Sequence, residues 1–416
     1  MSSAALASIA VEGGDLSLGE GLLAIIRPAL DLIEPGGVMA VLSSSPQVKD
    51  DLATWCRVER HDYLGCEEIS EGKFHHLIRR GSLSIPRGER ETAVNLPLRE
   101  GMLKAADVLS TIPMPERADP STGFAPRGAR AEPGGPSYPY TLTERNRVAP
   151  PEVAELYDQA VGAQWDAARD IAWDKIKPLS APLETALGQM MTFLAENELS
   201  ALYVPAKFIP QIHPAYAEVA MFLATQLADE ARHIDVFLKR ARVKGGLGIS
   251  SATTSRSLLS LLALTDFTEA AFLLSVLGEG TFLDLLKFIE KHAPDEPTFD
   301  LVRRARADET RHVHFGLAHV RHALSHDASL YSRLETAVRR RAATLHNVAG
   351  VPAAIQDALT ILAARGNDPA SIRRGHESFR ELLHTMHENR VKRLERAGFT
   401  GEQARMLSDL HTPNFM

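Results

Sequence analysis

The segment Asp229-Glu230-Ala231-Arg232-His233 returns further along the chain as Asp308-Glu309-Thr310-Arg311-His312. No other feature constrains the chain so tightly. On a helix, a Glu and a His three positions apart lie one turn apart and can address one ion. A single Glu-x-x-His arises by chance in many chains of this length; two copies of Asp-Glu-x-Arg-His are far more specific. Each copy also follows a carboxylate at a similar distance: Glu198 precedes Glu230 by nearly the same interval as Glu279 precedes Glu309. The step from Glu198 to Glu279 almost equals the step from Glu230 to Glu309, so the whole pattern repeats at nearly one period. Two helix pairs, each supplying a Glu and then a Glu-x-x-His, form a dinuclear carboxylate site in a bundle core. The expected metal ligands are Glu198, Glu230, His233, Glu279, Glu309 and His312.

The apolar surroundings separate these residues from their neighbours. Glu196 and Glu198 are about 200° apart on a helix and cannot both face inward. Met191, Leu194, Ala201 and Leu202 share the face of Glu198, whereas Gln189, Thr192, Leu199 and Ser200 share that of Glu196. Glu269 is a weaker rival to Glu279, because it stands further from Glu309 than the first copy's interval allows. Asp229 and Asp308, just before the ligating glutamates, are placed to accept a hydrogen bond from a ligand imidazole across the bundle. His319 shares the face of His312, but a core histidine is the favoured reading; His213, between prolines, reads as structural, and Tyr203 as an ordinary core tyrosine.

Charge supports the assignment. Four carboxylates in an apolar core are very costly without compensation. Two divalent irons cancel them when the histidines are neutral. Oxygen and imidazole ligands suit iron or manganese, so a Mn/Fe pair is equally compatible. The only two cysteines, Cys56 and Cys66, exclude a disulfide framework, a thiolate zinc site and a cysteine-held iron–sulfur cluster.

Along the chain, short strand and helix signals come first. Ser8–Val11, Val38–Leu42, Asp62–Glu68 and Lys73–Arg79 read as strands; Leu18–Ile33 and Pro46–Arg57 read as helices. The order βαβαββ predicts a small two-layer α/β domain over residues 1–80. Residues 81–150, rich in Pro, Gly and Arg, read as a linker or docked arm, with Glu91–Leu109 folding against a neighbour. From Pro151 almost everything reads as helix, near 152–170, 182–206, 215–243, 255–292, 297–325, 329–347, 352–364 and 371–396. The chain is therefore expected to be mainly α. A bundle over 151–325 carries the site, and a helical extension over 326–416 follows. The net charge of −7 gives no pull toward nucleic acid. The first residues lack the pattern of a secretory signal, and no run reaches the length of a membrane span. A cytoplasmic protein with no membrane partner is expected, and a homodimer is compatible with it.

The doubled motif resembles the ferritin-like di-iron oxidase and oxygenase superfamily over residues 151–325. The resemblance implies the same six ligands, with Glu230 and Glu309 as bridges and hence the catalytic centre. One arylamine-oxidising branch carries an extra His a turn before the second Asp-Glu; here that stretch reads Arg303-Arg304-Ala305-Arg306. Residues 5–80 resemble the TusA/SirA-like sulfur-carrier domain, through Gly14-Asp15-Leu16, the Glu34-Pro35-Gly36-Gly37 turn and Thr54-Trp55-Cys56-Arg57. That family carries sulfur on a Cys at the start of its first helix, where this chain has Ser17-Leu18-Gly19. Carriage at that position is excluded, which leaves a binding or docking module.

The function expected is a dioxygen-using di-iron oxygenase or oxidase acting on a small-molecule substrate. No flavin or nicotinamide fingerprint appears, so an external electron donor is expected. The competing classes are iron storage or peroxide detoxification, and a non-catalytic scaffold held by metal.

Overall fold

A computed structural model describes residues 7–82, 96, 101–129, 131, 135–346 and 350–411. The chain forms two compact units, Met1–Ala93 with Gly128–Gly134, and Val94–Arg127 with Gly135–Met416. It is mainly α, a helical bundle preceded in the sequence by a small α/β unit.

The first unit runs β1 (Ile9–Gly14), α1 (Leu23–Asp31), β2 (Val38–Ser43), α2 (Val48–Val58), β3 (Asp62–Ser70) and β4 (Lys73–Arg79). The strand order is β1-β2-β4-β3. β1 runs parallel to β2 through the α1 crossover, while β4 is antiparallel to both β2 and β3. Apolar residues at helical spacing on α1 and α2, among them Ile26, Leu30, Leu52 and Cys56, share one core with Met39, Val41 and Ile78 of the sheet. The single helix expected over 18–33 is two pieces. Leu18–Glu20 is a 3-10 turn, and Gly21, with φ of +110°, ends it before α1 begins. A left-handed residue cannot continue a right-handed helix.

The second unit begins with an arm that carries α3 (Ala105–Leu109). Asp158, on α4 (Val153–Gly162), accepts from the backbone N–H of Ala105 and Ala106 at 3.0 and 2.9 Å and so holds the first turn of α3. The Arg127 guanidinium is buried against Glu218 and donates to the Ala215 carbonyl at 2.6 Å. The part of the expected 91–109 element before Gly101 lies, except for Leu96, outside the described residues.

The long helices are α5 (Ala181–Ala206), α6 (Ala217–Lys244), the stretch α8 (Phe267–Ala271) to α9 (Gly280–His292), and α10 (Glu296–His326). α7 (Ala252–Leu262) precedes α8; α11 (Leu330–Leu345), α12 (Ala353–Ala364), α13 (Pro369–Arg396) and α14 (Gly401–Leu410) follow α10. α5 packs along α6, and α9 along α10, as short connections between long helices require. α5 is buried on nearly every side, because α12 covers the face that α6 leaves open.

Three helix expectations need correction. The helix expected over 152–170 stops at Gly162, and 163–172 is irregular because Asp166 turns the chain by accepting from Ala168 N at 2.7 Å. The helix expected over 255–292 breaks at Thr265-Asp266, where Asp266 caps α8 by accepting from Glu269 N at 2.9 Å. α14 lies beyond the expected helices, although Thr400 and Gln403 form a reciprocal cap readable in the sequence. Between α8 and α9, Phe272–Glu279 adopts the wider π form. Such widened turns re-aim side chains and gather at functional sites. Gly316 on α10 lets that segment approach: a Cβ there would stand 2.6 Å from Ser275 Cβ.

Candidate metal centre

Four helical stretches converge on one point. α5 brings Glu198, α6 brings Glu230 and His233, the end of the π segment brings Glu279, and α10 brings Glu309 and His312. All six side chains are buried. They fall into two groups with ligand atoms within 4.8 Å of one another: Glu198, Glu230, His233 and Glu309, then Glu230, Glu279, Glu309 and His312. Glu230 and Glu309 belong to both, the placement required of bridges between two ions.

The imidazoles are oriented alike. His233 turns Nδ1 inward, 3.1 Å from Glu230 Oε2 and 3.3 Å from Glu309 Oε1. His312 turns Nδ1 to Glu230 Oε1 at 3.0 Å and Glu309 Oε2 at 3.5 Å. Each Nε2 faces outward to the aspartate of the other motif copy: His233 to Asp308 Oδ2 at 3.1 Å, His312 to Asp229 Oδ2 at 3.3 Å. An outer carboxylate of this kind fixes the tautomer that leaves the inner nitrogen free to bind a cation.

Arg232 and Arg311 brace this outer ring. Each pairs closely with the aspartate of its own motif and reaches the other at 3.2 Å. Two aspartates and two arginines neutralise one another, which leaves the two imidazoles as the cationic partners available to the four inner glutamates. Burial, then the charges of Glu230 and Glu309, push the Glu198 carboxyl well above its usual range; burial and Glu309 do the same to Glu279. Burial also opposes charge on both histidines, but their carboxylate neighbours overcome it and raise His233 and His312. Burial likewise opposes ionisation of Glu230, yet the two imidazoles bring it down to about 2. Glu198 Oε1 and Glu279 Oε2 are buried with no hydrogen-bond partner among the described residues. Oxygen donors left open at the centre, with neutralisable imidazoles beside them, fit a pair of divalent cations.

The rivals lie elsewhere. Glu196 accepts from Ser250 Oγ at 2.5 Å, and Glu269 pairs with Arg340 at 2.8 Å. His319 is buried and bonded to Thr268 Oγ1 at 3.1 Å; burial and then the charge of His322 push it down to about 4. His213 caps a turn by accepting from Ala215 N at 3.0 Å. Tyr203, expected in the core, is instead 53% exposed.

Sequence reasoning missed the residues that support the ring. Trp165 Nε1 donates to Asp308 Oδ2 at 2.8 Å, and Gln164 Nε2 to Asp229 Oδ1 at 3.1 Å. The Arg232 guanidinium lies over the Trp165 ring, 4.8 Å from its centre. Gln226 Nε2 donates to Glu279 Oε1 at 3.1 Å. Repetition could have flagged only Arg232 and Arg311, because nothing local marks a loop tryptophan as the partner of an aspartate on so distant a helix. Beside Glu279, a mostly apolar cavity of about 20 Å³ is lined by Phe208, Leu223, Phe267 and Phe315, with Gln226 and Ser275 its polar groups. Phe193, Phe208, Phe222, Phe237, Phe272 and Phe282 are all buried, and of these six Phe208 lines the cavity.

Comparison with solved structures finds variants of an R2-like ligand-binding oxidase. One has an aerobically reconstituted Mn/Fe cofactor and one an Fe/Fe cofactor, at 18% and 17% identity. Each match covers 59% of this chain and 93% of the other, with TM-scores of 0.47 and 0.46. A structure of the oxidase after photoconversion covers 64% of this chain and 94% of its own, at 16% identity and a TM-score of 0.43. No protein-family model and no curated protein matches the chain. Among the described residues, no helix is long and apolar enough to cross a membrane.

Proposed function

We propose that the helical unit is a dinuclear iron, or manganese–iron, oxidase or oxygenase that uses dioxygen to oxidise a small molecule. The observation that carries this reading is the pair of four-residue groups sharing Glu230 and Glu309. Glu198 and His233 would complete one ion's shell, and Glu279 and His312 the other's. A bound pair supplies Lewis acidity and electron transfer toward dioxygen. The chain's residues supply the rest. Asp308 and Asp229 hold the imidazole tautomers, and Arg232 and Arg311 pair with those aspartates. The apolar walls exclude water. Gln226 and Ser275 orient Glu279, and the small apolar cavity that they line has room for about one molecule the size of dioxygen. Electrons come from an external donor. We read the N-terminal unit as a docking module, because the position that carries sulfur in the domain it resembles is Ser17, here hydrogen-bonded to Glu20 Oε2 at 2.8 Å.

The test is anaerobic loading of the full chain with Fe(II), followed by metal analysis and rapid mixing with oxygenated buffer. The reading expects two ions per chain and a transient absorption band whose decay depends on added reductant or substrate. Uptake far beyond two ions would favour storage. Two ions with no reaction toward dioxygen would favour a structural metal site.

A further inference from the structure

Buried arginines in the helical unit are of two kinds. Arg240 is fully buried and fully answered: it donates to Thr298 Oγ1 at 2.7 Å, to Glu184 Oε1 at 2.8 Å and to Asp295 Oδ2 at 3.1 Å. Two carboxylates meet one guanidinium. Under the C-terminal helices the ratio is reversed. Arg390 and Arg393 of α13 and His411 beyond α14 are only 6, 8 and 7% exposed. Arg341 of α11 is buried close enough for its charge to act on His411.

Among the described residues, the acidic groups nearby are few. Asp284 is buried and accepts from Arg393 Nη1 at 3.1 Å, but it also accepts from Asn389 at 2.7 Å. Asp409 acts on Arg390, yet its side chain is 71% exposed. Arg396 adds further positive charge beside Arg393. Arg390 reaches the Ser408 carbonyl only at 3.5 Å. Arg390 Nε, Arg393 Nε and Nη2, and His411 Nε2 are buried without a hydrogen-bond partner among the described residues. Burial, and then the charges of Arg390, Arg341 and Arg393, hold His411 well below its usual range, so a neutral imidazole with a free nitrogen faces the arginines. Buried, unanswered charge is strongly unfavourable, and an anion removes the penalty.

We propose that Arg390, Arg393 and His411 form a binding site for a small-molecule carboxylate. A guanidinium presents parallel N–H donors that match the two oxygens of a carboxylate. His411 Nε2 supplies a further donor in the tautomer that protonates it. The site lies against Gly280, where a Cβ would stand 2.7 Å from Arg393 Nε; only glycine allows the guanidinium to lie there. Gly280 directly follows Glu279, so the carboxylate site adjoins the metal centre through one peptide unit. The proposal rests on charge and burial and holds whether or not the glutamate cluster binds metal.

Calorimetric titration of the full chain with acetate and benzoate, in a chloride-free zwitterionic buffer, tests it, with inorganic phosphate as a separate arm. Saturable binding at one site per chain is expected. The dissociation constant should rise at least tenfold in Arg390→Gln and in Arg393→Gln. It should fall in Asp284→Asn, which removes the buried carboxylate that competes for Arg393. That gain of affinity is an outcome that misfolding cannot imitate. No saturable carboxylate binding by the unmodified chain would overturn the proposal, as would an unchanged constant in both arginine variants. Binding of phosphate in preference to either carboxylate would overturn the assignment of the ligand.

Discussion

The glutamate cluster and the Arg240 knot are both buried groups of charge in the same bundle, and they close in opposite ways. At Arg240 the protein supplies both signs: Glu184 and Asp295 meet one guanidinium, and Thr298 Oγ1 accepts from its Nε. At the centre, Arg232 and Arg311 neutralise only Asp229 and Asp308, and Glu198, Glu230, Glu279 and Glu309 are left facing one another. The difference separates structure from site. A buried charge answered from within holds helices together; a buried excess of one sign is a place for something from outside.

This contrast can be broken at several points. Glu309→Ala removes a carboxylate shared by both ligand groups. Metal analysis after Fe(II) loading is expected to fall from two ions per chain to one or none, and retention of two ions would dissolve the bridging assignment. Asp295→Ala attacks the closed knot instead. Breaking a buried pair while its partner stays charged costs about 3–5 kcal/mol, here with loss of the α10 cap in addition. Chemical denaturation should show that loss while the folded variant still binds two ions; a drop in metal content would mean that the two regions are not separable. Asp308→Asn sharpens the comparison from the other side. It leaves every metal ligand in place but takes the carboxylate from His233 Nε2, and metal affinity by competitive chelation should weaken about 10- to 100-fold with stoichiometry unchanged. Tyr203→Phe is the smallest change. With that side chain at the surface, stability should move by no more than about 0.5 kcal/mol, and the reaction of the loaded protein with dioxygen should be unaltered.

Much of this architecture is legible in the sequence. The six converging residues stand out because a ligand pair on a helix must be three apart and because the pattern is duplicated. The β–α alternation of the first unit follows from periodicity, and the strand bounds agree within two residues except at Gly14, where β1 runs three residues past its expected end. Two of the errors share one cause. The helix expected through Trp165 and the one expected through Asp266 have suitable composition, but single side-chain hydrogen bonds turn the chain there, and periodicity does not register them. Tyr203 escapes the same kind of reading, because one helix face can be covered by a ligand-bearing neighbour while the next is left to solvent.

The sequence alone determined which residue types could meet, since spacing along a helix fixes which side chains share a face. It did not determine which aspartate would serve which histidine. That exchange across the copies, Asp308 to His233 and Asp229 to His312, depends on how α6 and α10 lie beside each other. That Arg390 and Arg393 have one buried carboxylate, Asp284, between them likewise has no local signature, because whether a charge has a partner is settled only when distant helices pack. Spacing is a property of one helix; compensation of charge is a property of the assembled core.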